Sequence, residues 1–207
     1  MSKIPKTLIK IASAPLSEPL GKIDSGPLIE QLVDTFLSKK NGFFAYERAL
    51  LVRPLSSTDS PLGIVEWNEP DLWKEKYEGD LSEHIFFAEN VFGEQYSLTS
   101  EGVYSFDSEL GEITLIAENL SAWVALILED TDFITGHSLA KKWQSKNGAL
   151  SSGERLIPKQ SFVLKGEFNI ENLIVKPDVE AMKIRAEFAN KIANLPDGAE
   201  IQFKVTD

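Results

Sequence analysis

The chain has no cysteine and only two histidines, and these shortages exclude several chemistries at once. Without thiols there can be no disulfide and no thiolate metal site, a composition that suits the cytoplasm. His84 and His137 stand alone, outside any H-E-x-x-H or similar ligand spacing, so no His-based metal site is expected. A cation site built from carboxylates alone stays open but lacks any EF-hand spacing, and no metal or cofactor is assigned. No apolar run approaches the roughly 18 residues that a membrane span requires. Near the start, Lys6 and Lys10 leave only Thr7, Leu8 and Ile9 between them, too short an apolar core for a secretory signal, so secretion is not expected. The last shortage is local. From Tyr77 to Ala140 there is no Lys or Arg, while acidic residues recur throughout.

That gap concentrates the net charge of -11 in the middle of the chain. Nucleic-acid binding is disfavoured, because phosphate contacts need cations. An acidic surface of this kind steers a basic protein partner, although it also serves simply as a solvated, solubilising face.

With 207 residues and 43% apolar content, the chain can bury a substantial core, and it reads as one domain. Residues 1–25 carry Pro5, Pro15 and Pro19 and read as an extended N-terminal arm; residues 26–207 read as the folded unit. Ser25 and Pro27 open a helix whose stripe is Leu28, Ile29, Leu32, Val33, Phe36 and Leu37, closed by Asn41-Gly42. Phe43 to Leu55 reads as a bend passing into a strand, and Ile64 to Trp67 as a short strand before a helix capped by Asn68. His84–Ala88, Gln95–Leu98, Val103–Phe106 and Glu112–Ala117 then read as a meander of hairpins, covered by a helix carrying Leu120, Trp123, Val124, Ile127 and Leu128. A helix follows over about Thr135–Ser145. Arg155–Pro158 and Ser161–Leu164 look extended, Asn169–Val175 is ambiguous, Asp178 caps a long helix, and Ala199–Val205 alternates as a last strand. The predicted class is α+β, with a mixed, mainly antiparallel sheet of short strands covered by helices.

Catalytic motifs are weak. Gly136-His137-Ser138-Leu139-Ala140 has the look of a nucleophile elbow, but no histidine follows Ser138, as the hydrolase order requires, and the preceding residues are short and polar for a buried strand. Gly148 and Gly153 bracket a segment without the Lys-Ser/Thr of a phosphate loop. No catalytic residue is therefore assigned, and the carboxylates carry no spacing that selects an acid/base pair. Trp67, Trp73 and Trp123 read as core; Trp143, among Lys141, Lys142 and Lys146, is the tryptophan with most reason to serve as a contact residue.

The run FFAENVFGEQYSL, then GVYSFDSELGEI, then NLSAWVALIL resembles the signature of the SUKH superfamily, named for Syd, US and the yeast cell-wall regulator of the Knr type. The matching positions are Phe87, Ala88 and Glu89, Gly93, then Val103, Tyr104, Phe106 and Asp107, then Ala117 and Trp123. NGFFAYERALLV upstream and TGHSLAKKWQSKNG and ERLIPKQSFVLKGEF downstream are similar to a bacterial subgroup, so the resemblance spans most of residues 28–205; the extension after about residue 150 departs from the shortest members. These motifs are turns and core positions. The resemblance implies a non-enzymatic protein-binding domain, in bacteria commonly a cytoplasmic immunity protein that neutralises a polymorphic toxin, often a nuclease with a basic groove. The alternative it implies is a scaffold or regulatory subunit for an endogenous protein. On the charge argument, the partner-binding candidates are Glu78, Asp80, Glu83, Glu89, Glu94, Asp107 and Glu109.

Overall fold

The computed structural model describes residues 3–21 and 26–195. Its first element corrects the N-terminal expectation. Lys3–Ile11 form a helix, α1, rather than an extended arm. Pro5 falls in the first turn, where a missing N–H is harmless, and Leu8 is fully buried against the rest of the core. The chain then does run extended, with the Ser13 and Leu16 amides donating to the Phe44 and Gly42 carbonyls at 2.8 and 3.0 Å.

Helix α2, Gly26–Leu32, has Pro27 in its first turn as expected and passes into a π-helical turn, Val33–Leu37, that buries Phe36 and Leu37. Ser25, expected as its cap, and the strand expected at 199–205 lie outside the described residues. Strands β1, Phe43–Ala45, and β2, Leu50–Val52, form a hairpin. The extended segment at 13–17 lies along β1 and satisfies part of what would otherwise be a bare sheet edge.

Residues Ile64–Trp67, expected as a strand, are instead a short helix, α3. Asn68 ends it rather than starting the next helix. Its side chain pairs with the backbone of Phe86, donating to the carbonyl at 2.8 Å and accepting from the amide at 2.9 Å, as a neighbouring strand would. A 3₁₀ turn, Lys74–Lys76, replaces the longer helix expected there.

The meander follows as β3 (Ile85–Asn90), β4 (Gln95–Leu98), β5 (Val103–Asp107) and β6 (Glu112–Ala117). All six strands join in the order β1-β2-β3-β4-β5-β6, every pair antiparallel. The class is therefore α+β with an entirely antiparallel main sheet. Asn119 caps α4, Leu120–Glu129, by accepting the Ala122 amide. Helix α5, Thr131–Thr135, and α6, His137–Asn147, are separated by Gly136 in the left-handed conformation. Strands β7, Glu154–Pro158, and β8, Leu173–Pro177, form a second, two-stranded sheet, with Ser161–Leu164 in turns rather than extended. Helix α7, Asp178–Ala193, closes the described chain.

Period-two alternation divides the core between the two faces of the sheet. Phe87, Tyr96, Leu98 and Val103 join Phe36, Trp123, Val124 and Ile127 on one face, under α1, α2 and α4. Phe86 and Phe106 join Trp67, Trp73, Tyr77, Met182 and Ala186 on the other, under α3 and α7. Trp67, Trp73 and Trp123 are fully buried, as the sequence implied, while Trp143 is half-buried against a smaller cluster around Ala140, Leu150, Leu156 and Leu173.

Candidate functional site

The carboxylates of the cation-free segment have sharply different environments, and Glu89 departs furthest from its expected role. It was expected to face a partner; it is 0% exposed. Its Oε1 meets Arg53 Nη2 at 2.8 Å and Arg155 Nη2 at 2.5 Å, while the Gln95 amide donates to Oε2 at 2.7 Å. The Arg155 contact is a buried ion pair. Arg53 also reaches Asp178 Oδ2 at 3.2 Å, donates to the Leu62 carbonyl and stacks 3.5 Å above the Trp67 ring. Burial alone would raise the Glu89 carboxyl, but the Arg155 and Arg53 guanidiniums, with Gln95, outweigh it and hold the group below its ordinary value. Glu89 is a strut joining β2, β3, β7 and α7.

Glu109 is buried as well. Its Oε2 accepts from the Ser161 hydroxyl at 3.0 Å and the Phe162 and Val163 amides at 3.1 and 3.4 Å. It therefore fixes the loop after β7 instead of presenting charge. Glu78, Asp80 and Glu83 are exposed, but they lie in the segment before β3. Glu78 accepts from the Asn194 side chain at 3.2 Å, and the Asp80 carboxyl, which accepts from Ser82, is held below its ordinary value chiefly by that contact. The seven candidates thus do not form one surface.

Glu94 and Asp107 do come together, in an open groove of about 850 Å³ at the uncovered end of the β4–β6 face. Strand pairing builds its floor. Tyr96, Ser105 and Thr114 form one cross-strand row, and Asp107 stands directly opposite Glu112 in another. Asn90 shapes the β3–β4 turn by accepting the Phe92 and Glu94 amides, and it donates to Glu94 Oε2 at 2.9 Å. The Ser105 hydroxyl donates to Glu94 Oε1. Burial is the main influence raising the Glu94 carboxyl above its ordinary value; Asp107 adds to it, while Ser105, Asn90 and Arg185 oppose it. Asp107 Oδ1 accepts the Glu109 and Leu110 amides at 2.7 and 3.1 Å, which holds the β5–β6 turn.

The walls are aromatic. Phe92 meets Phe162 edge-on at 5.6 Å, and Phe162 stacks on Phe168 with centroids 3.9 Å apart. On the α5 side Phe133 is 81% exposed, and Phe168 is 70% exposed. Gly136 makes the Phe92 position possible, since a β-carbon there would lie 2.3 Å from that ring. Tyr96 Oη donates to the Ile134 carbonyl at 2.6 Å and ties α5 to the floor. Arg185 of α7 lines the groove beside Gly93, its Nη1 donating to Ser108 Oγ.

Ser138 caps the α5–α6 junction. Its amide and hydroxyl each donate to Asp132, 2.7 Å away, and this lowers the Asp132 carboxyl. His137 instead meets Glu47 at 3.2 Å. Among the described residues, no three His, Asp or Glu side chains are gathered closely enough to hold a metal ion. The groove carboxylates are spread along a surface, a geometry suited to an extended cation.

Sequence reasoning missed Phe92, Phe133, Phe162, Phe168 and Arg185. Phe92 and Asp107 sat in segments read as turns, so their position was legible, but nothing in their spacing linked them to residues 162–168 or to α7.

No family model matches the chain, and no curated protein matches it. Among solved structures it is similar in fold to Atu4351 from Agrobacterium tumefaciens, at 16% sequence identity over 86% of each chain with a TM-score of 0.60.

Proposed function

We propose that this chain is a non-enzymatic protein-binding domain of SUKH type, acting in the cytoplasm as an immunity protein that neutralises a basic toxin domain. The observation that carries this reading is the groove: an open, aromatic-walled depression with five carboxylates against one guanidinium. Exposed phenyl rings beside uncompensated charge are the composition of a contact surface, and the sign of that charge selects a basic partner. The SUKH-like turn and core motifs agree with this assignment, and a nuclease toxin would bring the complementary cationic surface. Inhibition would then come from covering the toxin, with no covalent step.

The test is to purify the toxin encoded beside this gene and measure inhibition and affinity across a salt series. Tight binding that weakens with salt and with Glu94→Lys or Asp107→Lys is expected. Inhibition that ignores both salt and charge reversal would refute the electrostatic reading, and absence of inhibition would refute immunity itself. Charge reversal at Glu89 is uninformative about binding, because that carboxylate holds the core.

A further inference from the structure

Three features of the groove constrain what can occupy it. First, Asp107 and Glu112 are directly opposite across β5 and β6, with Glu94 nearby, and among the described residues no Lys or Arg makes an ion pair with any of the three. Like charges facing each other across a strand pair are destabilising, so the fold retains an arrangement that a bound cation would relieve. Second, these carboxylates do not converge on one point, as a metal site would require. A planar guanidinium with five donors reaches separated carboxylates and lies flat against aromatic rings, whereas a compact ammonium does neither as well. Third, Arg185, 5% exposed, lines the same groove and sets a guanidinium against whatever occupies it. An occupant beside that guanidinium needs an acceptor oxygen, and a ligand that is only a cation has none. A peptide segment has both groups.

We propose that the groove receives an arginine side chain from an extended segment of the basic partner. The guanidinium meets Glu94, Asp107 and Glu112, its neighbouring apolar residue lies on Phe162 and Phe168, and a main-chain carbonyl faces Arg185. This rests on the protein-binding reading above and specifies its ligand chemistry.

The experiment uses the purified full chain and needs no natural partner. Acetyl-Leu-Arg-Leu-amide and its citrulline counterpart, which keeps the shape and loses the charge, are titrated while amide shifts are followed by NMR. The arginine peptide is expected to bind with a dissociation constant on the order of 1 mM or tighter, shifting residues 92–94, 105–114 and 162–168. Citrulline should weaken binding about tenfold or more, as should Glu94→Gln and Asp107→Asn, while the exposed Glu69→Gln should leave it unchanged. A lysine peptide should bind more weakly than the arginine peptide. Equal binding of citrulline, shifts outside the groove, or full affinity in Glu94→Gln would overturn the proposal; folding of each variant is checked by its own spectrum. The two readings fail separately. A chain that binds the arginine peptide but inhibits no toxin keeps the groove site and loses the immunity function. A chain that inhibits a toxin equally well with Glu94→Gln and Asp107→Asn keeps the function and loses the arginine site.

Discussion

Glu89 and Glu94 lie at the two ends of one hairpin turn, yet the same conservative substitution should affect them in opposite directions. In Glu89→Gln, two guanidiniums stay buried at Arg53 and Arg155, and among the described residues only Asp178, at 3.2 Å from Arg53, still carries a countercharge. Breaking a buried ion pair by removing one partner costs about 3–5 kcal/mol, because the remaining charge is left unsolvated. For a chain of this size that corresponds to a fall in Tm of roughly 6–20 °C. Glu94→Gln removes a carboxylate whose charged form burial already disfavours, and its amide oxygen can still accept from Asn90 while its NH2 donates to the Ser105 hydroxyl oxygen. Stability at neutral pH should therefore hold or rise slightly. The linkage signs agree: the depressed Glu89 carboxyl contributes stability above its unfolded pKa that is lost as pH falls through its folded value. The raised Glu94 carboxyl favours the fold in acid, and that contribution is lost as pH rises through its folded value. The assay is urea unfolding of wild type, Glu89→Gln and Glu94→Gln at neutral pH. If Glu89→Gln unfolds within about 1 kcal/mol of wild type, the network does not have the structural role assigned to it.

The arginine peptide should bind more tightly as pH rises through the raised Glu94 pKa, with proton release measurable by calorimetry in buffers of different ionisation enthalpy between about pH 4 and 8. Asp107 on β5, Glu112 on β6, Glu109 in the turn, Asp132 on α5 and Arg185 on α7 are the other charged groups lining that site, and a flat affinity profile would refute the role of Glu94. Gly136→Ala forces a β-carbon against Phe92 at a left-handed position; peptide affinity should fall, with the loss of stability, about 1–3 kcal/mol, read by thermal unfolding. Glu109→Ala releases the Ser161 hydroxyl and the Phe162 and Val163 amides, so hydrogen exchange should accelerate at 161–168 while the β3–β6 amides stay protected.

Much of the architecture was legible because the meander obeys local rules. Turns at Asn90–Glu94 and Asp107–Gly111 bracket strands whose alternation sets their faces, and Asn119 announces α4. Failures came where a tertiary contact overrides the local signal. Three prolines suggested an extended arm, but Pro5 is compatible with a first helical turn and burial of Leu8 makes α1 worthwhile. Ile64–Trp67 has β-branched residues, yet Trp67 is buried against Trp73, and Asn68 takes the strand's place beside β3. Charge alone selected Glu94 and Asp107 together with five other carboxylates, and nothing in it set the two groove residues apart. Glu89 was misjudged because its partners, Arg53 and Arg155, are remote in sequence.

A long acidic segment cannot balance its own charge, so its folded environment must import cations or leave charge exposed. The chain does both, and strand alternation sorts the two outcomes. Glu89 points into the layer where Arg53, just past the end of β2, and Arg155 from β7 neutralise it, which locks the second sheet to the first. Glu94, Asp107 and Glu112 line the open end of the β4–β6 face, where Arg185 is the single cation among the lining residues. Neutralising those three carboxylates internally would have required two more basic residues on the neighbouring walls. Those wall positions carry Phe92, Phe133, Phe162 and Phe168 instead, leaving a surface whose missing charge a basic segment from another protein would match.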